Sequence, residues 1–224
     1  MALRTARDAL SRIFYQRCFY LFALLLLLIA LVPFLPYTDQ GRIALNWVNA
    51  FVVLGTVAAV GRSPMSFLGA VLLATPALLF QWIGVMQDDR LYLAYGWAFS
   101  AVLYFMTTGY LLRYVFQPEV MTADKLFGAA AAYLMIGVLW AYFYALVGFI
   151  YPDSFMVLGT AATLGYQDSL YFSMTVLTST GFGDISPLSR QARGVCIIEQ
   201  LTGALFVAIL IARLAGVYPP NRPK

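Results

Sequence analysis

The sequence predicts an all-α membrane protein of six transmembrane helices, with a re-entrant half-helix and an extended stretch between the fifth and sixth. Three observations predict it. The chain is 62% hydrophobic and only 11% charged, where a soluble domain carries roughly 25% charge. Its apolar residues fall into long runs separated by short polar breaks. Between the last two runs lies "TSTGFGDISP", residues 178–187, in which hydroxyls lead up to two glycines that flank an aromatic residue.

The runs cover residues 18–36, 43–61, 65–87, 91–112, 126–150 and 192–216. Each holds about 19 to 25 residues, and at 1.5 Å rise per residue each can cross a hydrocarbon core of about 30 Å. Lipid offers the backbone no hydrogen bonds, so only helices or closed barrels span it, and these runs are too long for barrel strands. The first run follows an arginine-rich start, but it exceeds a signal-peptide core and no small-residue cleavage site follows, so it is read as a retained span.

Orientation follows from the basic residues. With the N-terminus inside, the inner segments hold Arg4, Arg7, Arg12, Arg17, Arg62, Arg113, Lys125, Arg213, Arg222 and Lys224. The outer segments hold Arg42, Arg90, Arg190 and Arg193. This asymmetry places both termini in the cytoplasm, as in a multi-pass protein of the plasma (inner) membrane. Residues 1–17 put Leu3, Ala6, Leu10 and Ile13 on one helical face. That pattern fits a helix lying on the inner surface or a plain basic flank. The expected organisation is a cytoplasmic N-terminal segment 1–17, a four-helix unit 18–116, a two-span unit 117–216 and a short cytoplasmic tail 217–224.

Composition also excludes chemistry. There is no histidine, which removes Ser-His and Cys-His catalysis and the commonest metal ligand. The two cysteines, Cys18 and Cys196, both lie in apolar runs and build neither a disulfide framework nor a zinc site.

The segment before the glycine motif reads "YQDSLYFSMTVL". Asp168 can cap a helix that starts at Ser169 or Leu170. From there to Thr178 is about ten residues, or about 15 Å, half a membrane. The order is span, loop, half-helix, extended stretch, loop, span. Irregular backbone at membrane depth is tolerated where it lines water or is buried in protein.

These residues resemble the pore of tetrameric potassium channels, within the pore-loop channel superfamily. That family's signature is Thr-Val-Gly-Tyr-Gly followed by Asp, and this chain has Ser179-Thr180-Gly181-Phe182-Gly183 followed by Asp184. The flanking "LYFSMTVLTS" is similar to the family's pore helix, and the resemblance covers about residues 126–216. It implies a re-entrant pore helix and a selectivity filter in which carbonyl oxygens replace the ion's hydration shell. Glycine spacing gives a physical reason. Carbonyls along an extended strand alternate in direction, and aligning them requires alternate residues in conformations that glycine visits freely. The carbonyls of Ser179, Thr180, Gly181 and Phe182 would then coordinate K+, with Gly183 completing the filter, the Ser179 hydroxyl innermost and Thr178 in support. A bare Gly-x-Gly-Asp reads first as a turn between helices; the half-helix, the hydroxyls and the two flanking spans turn the reading to the pore. Ser179, Thr180 and Phe182 depart from the signature and bear on how strictly sodium is excluded.

The last span carries further candidates. Gly203 lies where the family often has an inner-helix hinge, and close helix packing is its other reading. Ala204, Val207, Ile211 and Ala215 follow at helical spacing as lining of the cavity and gate, or as packing residues. Glu199 is an ionisable residue well inside a span, costly unless it faces protein or water. It is expected behind the filter, bonded to the filter hydroxyls, paired with Arg193, or protonated and structural. Asp184 is expected at the outer mouth, and Arg213 is expected to snorkel to lipid phosphate.

Six spans resemble voltage-gated channels in layout alone. The fourth span has Arg90 and Arg113 at its margins and no basic residue between them, whereas a voltage sensor needs a series of them. No voltage sensing of the usual kind is expected. Pro76 is expected to kink the third span, and Asn46 and Asn49 share a face of the second.

One pore loop cannot enclose a pore, so four copies are required around an axis. The leading expectation is a non-enzymatic, homotetrameric potassium channel whose partners are membrane lipid and itself. It uses no nucleic acid, soluble substrate or cofactor, and potassium is its permeant ligand. The alternatives are a weakly selective monovalent cation channel and a non-conducting membrane sensor or scaffold with a pore-like fold. An intramembrane enzyme ranks below these, for want of histidine or paired intramembrane acids.

Overall fold

The computed structural model describes residues 17–36, 38–60, 64–117 and 122–217. The expectations for the N-terminal segment, Arg62 and most of the tail lie outside the described residues.

Apolar composition makes the helices, and their polar ends stop them. In chain order they are α1 (Arg17–Leu31), continued by a 3-10 turn (Val32–Phe34), α2 (Asp39–Val60), α3 (Pro64–Gln87), α4 (Arg90–Val115), α5 (Ala123–Ile150), α6 (Tyr166–Leu177) and α7 (Arg190–Val217). Five of these are long and apolar enough to cross a membrane, namely α1 with its 3-10 turn, α2, α3, α5 and α7. The remaining long helix, α4, has 26 residues. It is less apolar because tyrosines, threonines and Ser100 interrupt it. Starts are capped where the sequence supplies an oxygen. The Asp89 carboxylate accepts from Leu91 N at 2.8 Å, and the Thr122 hydroxyl from Lys125 N at 3.3 Å. α3 runs unbroken through Pro76.

The fifth helix is the hub. It packs against α1, α4, α6 and α7. Small residues on α5 let neighbours approach: Gly128, Ala129, Ala131, Ala132, Ala141 and Ala145 are all buried. A Cβ on Gly137 would lie 2.5 Å from Met174 Cε of α6. Helices α2, α3 and α4 are tied to α5 by a polar cluster. Asn49 donates to Gln81 Oε1 at 2.7 Å, Gln81 donates to Ser100 Oγ at 2.7 Å, and Tyr142 donates to Asn49 Oδ1 at 3.0 Å. Asn46 donates to the Gln81 carbonyl at 3.3 Å. The shared face of Asn46 and Asn49 thus serves polar packing. A cavity of about 650 Å³ lies over this cluster, lined by Asn46, Asn49, Gln81 and Tyr142 among others, room enough for water to reach the amides.

Charge segregates to the two ends. Arg42 pairs with Asp88 at 2.6 Å, and on the same end Gln167 of α6 donates to the Leu35 carbonyl at 3.4 Å. At the other end Asp124 joins three helices: Tyr114 donates to its Oδ2 at 2.7 Å and Cys18 N to its Oδ1 at 3.1 Å. Lys125 is buried there, with its ammonium 5.8 Å from the Tyr114 ring centre.

The helical class has one small addition. Three three-residue strands, β1 (Phe155–Val157), β2 (Thr160–Ala162) and β3 (Ile185–Pro187), form an antiparallel sheet in the order β2-β1-β3. Phe155 pairs with Ala162 on one side and Pro187 on the other. Leu158 and Gly159 make the β1–β2 turn, with φ of 48° and 86°. Two successive positive φ values match strand twist in a two-residue hairpin, and only Gly159 adopts its value without strain. Phe155 and Ile185 from this sheet, Tyr144 from α5, Phe172 from α6 and Ala192 from α7 form a second apolar core.

Candidate functional site

The half-helix α6 begins earlier than its composition suggested. Its N-cap is Gly165, in extended backbone with φ −76° and ψ 173°, and Asp168 lies in the first turn. An acid there still favours the helix start through the dipole. The helix has 12 residues and ends at Leu177, with Thr178 as its C-cap.

Beyond Leu177 the chain turns on itself. Ser179 N donates to Val176 O at 2.9 Å, Thr180 N to Thr175 O at 2.9 Å and Gly181 N to Thr175 O at 3.3 Å. These bonds satisfy the last carbonyls of α6 with the first amides of the extended stretch. Among the described residues, no hydrogen bond goes to the carbonyls of Ser179, Thr180, Gly181 or Phe182. Four successive acceptors are left open while three of the amides beside them are tied back. These residues are exposed on the single chain, so the four acceptors stand open to water or to a ligand.

The backbone angles explain the arrangement. Ser179, Gly181 and Gly183 have φ of 55°, 56° and 83°. Positive φ thus recurs at every second residue, the alternation that the glycine spacing required. Both glycines have open space where a Cβ would go, so their need is conformational and not steric. Ser179 adopts the left-handed region without being glycine, at a cost of about 1–2 kcal/mol.

The hydroxyls support the turn. Thr178 Oγ1 donates to Met174 O at 2.7 Å and lies 2.8 Å from Thr180 Oγ1. With its one hydrogen committed to Met174, Thr178 accepts from Thr180. Thr180, an apolar position in the related signature, therefore spends its hydroxyl on Thr178. Phe182 is 70% exposed on this single chain.

Asp184 closes the outer end. Its Oδ2 accepts from Tyr171 of α6 at 2.7 Å, and its Oδ1 from Ile185 N at 3.0 Å. Its carbonyl accepts from Leu158 N of the hairpin at 2.9 Å. The Tyr171 hydrogen bond holds the Asp184 carboxyl below the usual carboxylate range. Sequence reasoning missed the hairpin and Tyr171; the paired turn residues Leu158-Gly159 were the available signal.

Glu199 is fully buried, but its partners are not those expected. Tyr144 of α5 donates to its Oε2, and its Oε1 lies 2.5 Å from Ser173 Oγ of α6. Neither the filter hydroxyls nor Arg193 reaches it; Arg193 donates to the Pro187 carbonyl at 3.4 Å. Gly203 is buried against α6, where a Cβ would lie 2.3 Å from the Leu177 carbonyl oxygen. Helix α7 is continuous through that position, so close approach accounts for this glycine. Arg213 does not reach out to lipid. It donates to the Gln117 carbonyl at 2.5 Å and sits 5.3 Å from the Phe116 ring centre.

The face of α7 is divided. Ala192, Glu199, Gly203 and Phe206 are buried against α5 and α6, while Ala204, Val207, Ile211 and Ala215 are exposed. At about 100° per residue the second stripe lies about a third of a turn from the first. Ile197, Ile198, Leu201, Leu205 and Ile209 are each more than half exposed as well.

Residues 132–218 match the family model described as ion channel. No curated protein matches the chain, and no solved structure matches it. The matched segment contains most of α5, all of α6, the open carbonyls and all of α7. This match supports a pore-loop ion channel domain of potassium-channel type at residues 132–218.

Proposed function

We propose that the protein is a potassium-selective channel that conducts passively through the carbonyls of Ser179, Thr180, Gly181 and Phe182 in a homotetramer. The observation that carries this reading is the pairing of alternate positive φ values with four unbonded carbonyls. A cation entering a narrow path must exchange its water for other oxygens, and these acceptors already stand without hydrogen-bond partners. Gly183 completes the strand, Thr178 and Glu199 support it from behind, and Asp184 stands at the outer mouth. The division into a four-helix unit (18–116) and a pore unit (117–216), with α4 as the sixth span, belongs to the same reading.

The exposed apolar surface of α7 supports assembly. Part of it meets lipid. A chain with one pore loop reaches a closed pore by cyclic symmetry, and neighbouring copies then cover Phe182 and the flank of α7. Ala204, Val207, Ile211 and Ala215 would face the axis as the cavity and inner gate. The excess of basic residues on the expected inner segments supports both termini lying on the cytoplasmic side of the plasma (inner) membrane.

Potassium flux into liposomes tests the proposal, with and without barium and beside Gly181→Ala. Barium-blocked uptake in the wild type and its loss in the variant are expected. Uptake unchanged by the variant contradicts the filter assignment. A weakly selective cation channel is favoured instead if sodium and potassium reversal potentials coincide; the polar Thr178–Thr180 pair behind the filter is the observation in its favour.

A further inference from the structure

Behind the filter, Ser173 Oγ stands between two oxygens. It lies 2.7 Å from the Gly137 carbonyl of α5 and 2.5 Å from Glu199 Oε1 of α7. The carbonyl can only accept, and a serine hydroxyl has one hydrogen. With that hydrogen on Gly137 O, the contact to Glu199 needs a hydrogen from the carboxyl. The other carboxyl oxygen already accepts from Tyr144. One hydrogen count satisfies all three contacts: Glu199 O–H to Ser173, Ser173 O–H to Gly137, Tyr144 O–H to Glu199. An ionised Glu199 would leave two oxygens facing at hydrogen-bond distance with no hydrogen between them.

The surroundings agree. Glu199 is fully buried, and among the described residues no lysine or arginine pairs with it. The titratable groups facing it are Tyr144 and Tyr133 from α5 and Cys196 from its own helix, with Ser173 the polar group from α6. None supplies a positive charge. A buried carboxylate without one is costly, whereas a neutral acid with both oxygens bonded is not.

We propose that Glu199 is a positioning residue that works as a neutral carboxylic acid, a proton-dependent latch joining α5, α6 and α7 behind the filter. Ser173 lies one turn before the C-terminal end of α6, so the latch fixes the height and tilt of the helix that presents residues 178–183. Loss of the proton draws the Ser173 hydrogen onto the carboxylate and breaks the Ser173–Gly137 bond between α6 and α5, leaving the Tyr133 bond to the Leu177 carbonyl in place. The effect on conduction rests on the pore reading; the latch itself does not.

Three readouts on the purified full-length protein test it. Infrared difference spectra should show a protonated-carboxyl band at neutral pH that is missing in Glu199→Gln and lost from the wild type at alkaline pH. The thermal midpoint of the wild type should fall as pH rises from the ordinary carboxylate value of about 4.3 up to that alkaline step and level off beyond it, while that of Glu199→Gln, whose amide N–H replaces the O–H, should not. Potassium flux should fall about tenfold across that step in the wild type, as a change of about 1.4 kcal/mol would give, and stay flat in the variant. Absence of the neutral-pH band overturns the proposal, and so do identical alkaline profiles of the two proteins. Flux absent from both proteins, with the band and the stability step present, sinks the pore reading and leaves the latch standing.

Discussion

The carbonyl oxygen of Leu177, the last residue of the half-helix, occupies the place where Gly203 of α7 would carry a side chain, 2.3 Å from the position of its Cβ. Helices α6 and α7 therefore touch backbone to backbone. Gly203→Ala must push α7 off α6, at a cost of about 1–3 kcal/mol per protomer for forced overpacking. The thermal midpoint and the yield of assembled protein should both fall. A variant that folds and assembles normally but gates differently would restore the hinge reading.

Tyr171 donates to Asp184 Oδ2 at 2.7 Å, just beyond the open carbonyls of residues 179–182. The bond lowers the folded carboxyl's affinity for protons, so its contribution is present above the ordinary carboxylate value of about 3.9 and is lost as pH falls through the lowered folded value. In Tyr171→Phe the acid transition of Asp184 should move up towards that ordinary value. Carboxyl titration by NMR on selectively labelled protein measures it. An unmoved transition would mean that Ile185 N alone sets the carboxylate.

Gln81 is the centre of the amide cluster between the four-helix unit and α5. Gln81→Leu leaves Asn49 Nδ2 and Ser100 without their partner, at about 1–3 kcal/mol for each buried group. The thermal midpoint should drop clearly while ion selectivity, which the proposal assigns to residues 179–183, stays the same. An unchanged midpoint would mean that water from the adjacent cavity replaces the amide.

Arg213 separates two readings with one substitution. A basic residue that serves only the lipid surface is replaced well by lysine. The guanidinium here lies over Phe116 while bonding the Gln117 carbonyl, and a lysine cannot reproduce that planar contact. Arg213→Lys should weaken the junction between α7 and the α4–α5 connection, read as faster hydrogen exchange around residues 113–117. Exchange rates equal to wild type would return Arg213 to the lipid surface.

Much of this was legible in the sequence, and the reasons differ by element. The spans follow from apolar runs long enough to cross a bilayer. The alternating backbone of residues 181–183 follows from Gly181 and Gly183, because their spacing allows alternate left-handed residues. The left-handed Ser179 was not legible, since nothing in a serine announces positive φ. Strands of three residues carry too little alternation to be seen, although the Leu158-Gly159 turn marked their hairpin. The burial of Glu199 was legible from its apolar neighbours in the chain. Its partners Ser173 and Tyr144 were not, because each lies on another helix and only the packing of α5, α6 and α7 brings them together. The same holds for the junction of Asp124 with Tyr114 and Cys18.

The central claim is that the carbonyls of residues 179–182 are the ligands of a permeating cation. Crystals of the protein grown in rubidium or thallium measure this by anomalous scattering. Peaks on a four-fold axis, within coordination distance of those carbonyl oxygens, are the expected result. A four-fold assembly with no anomalous density at residues 179–182, or an assembly in which those carbonyls face no common axis, would contradict it.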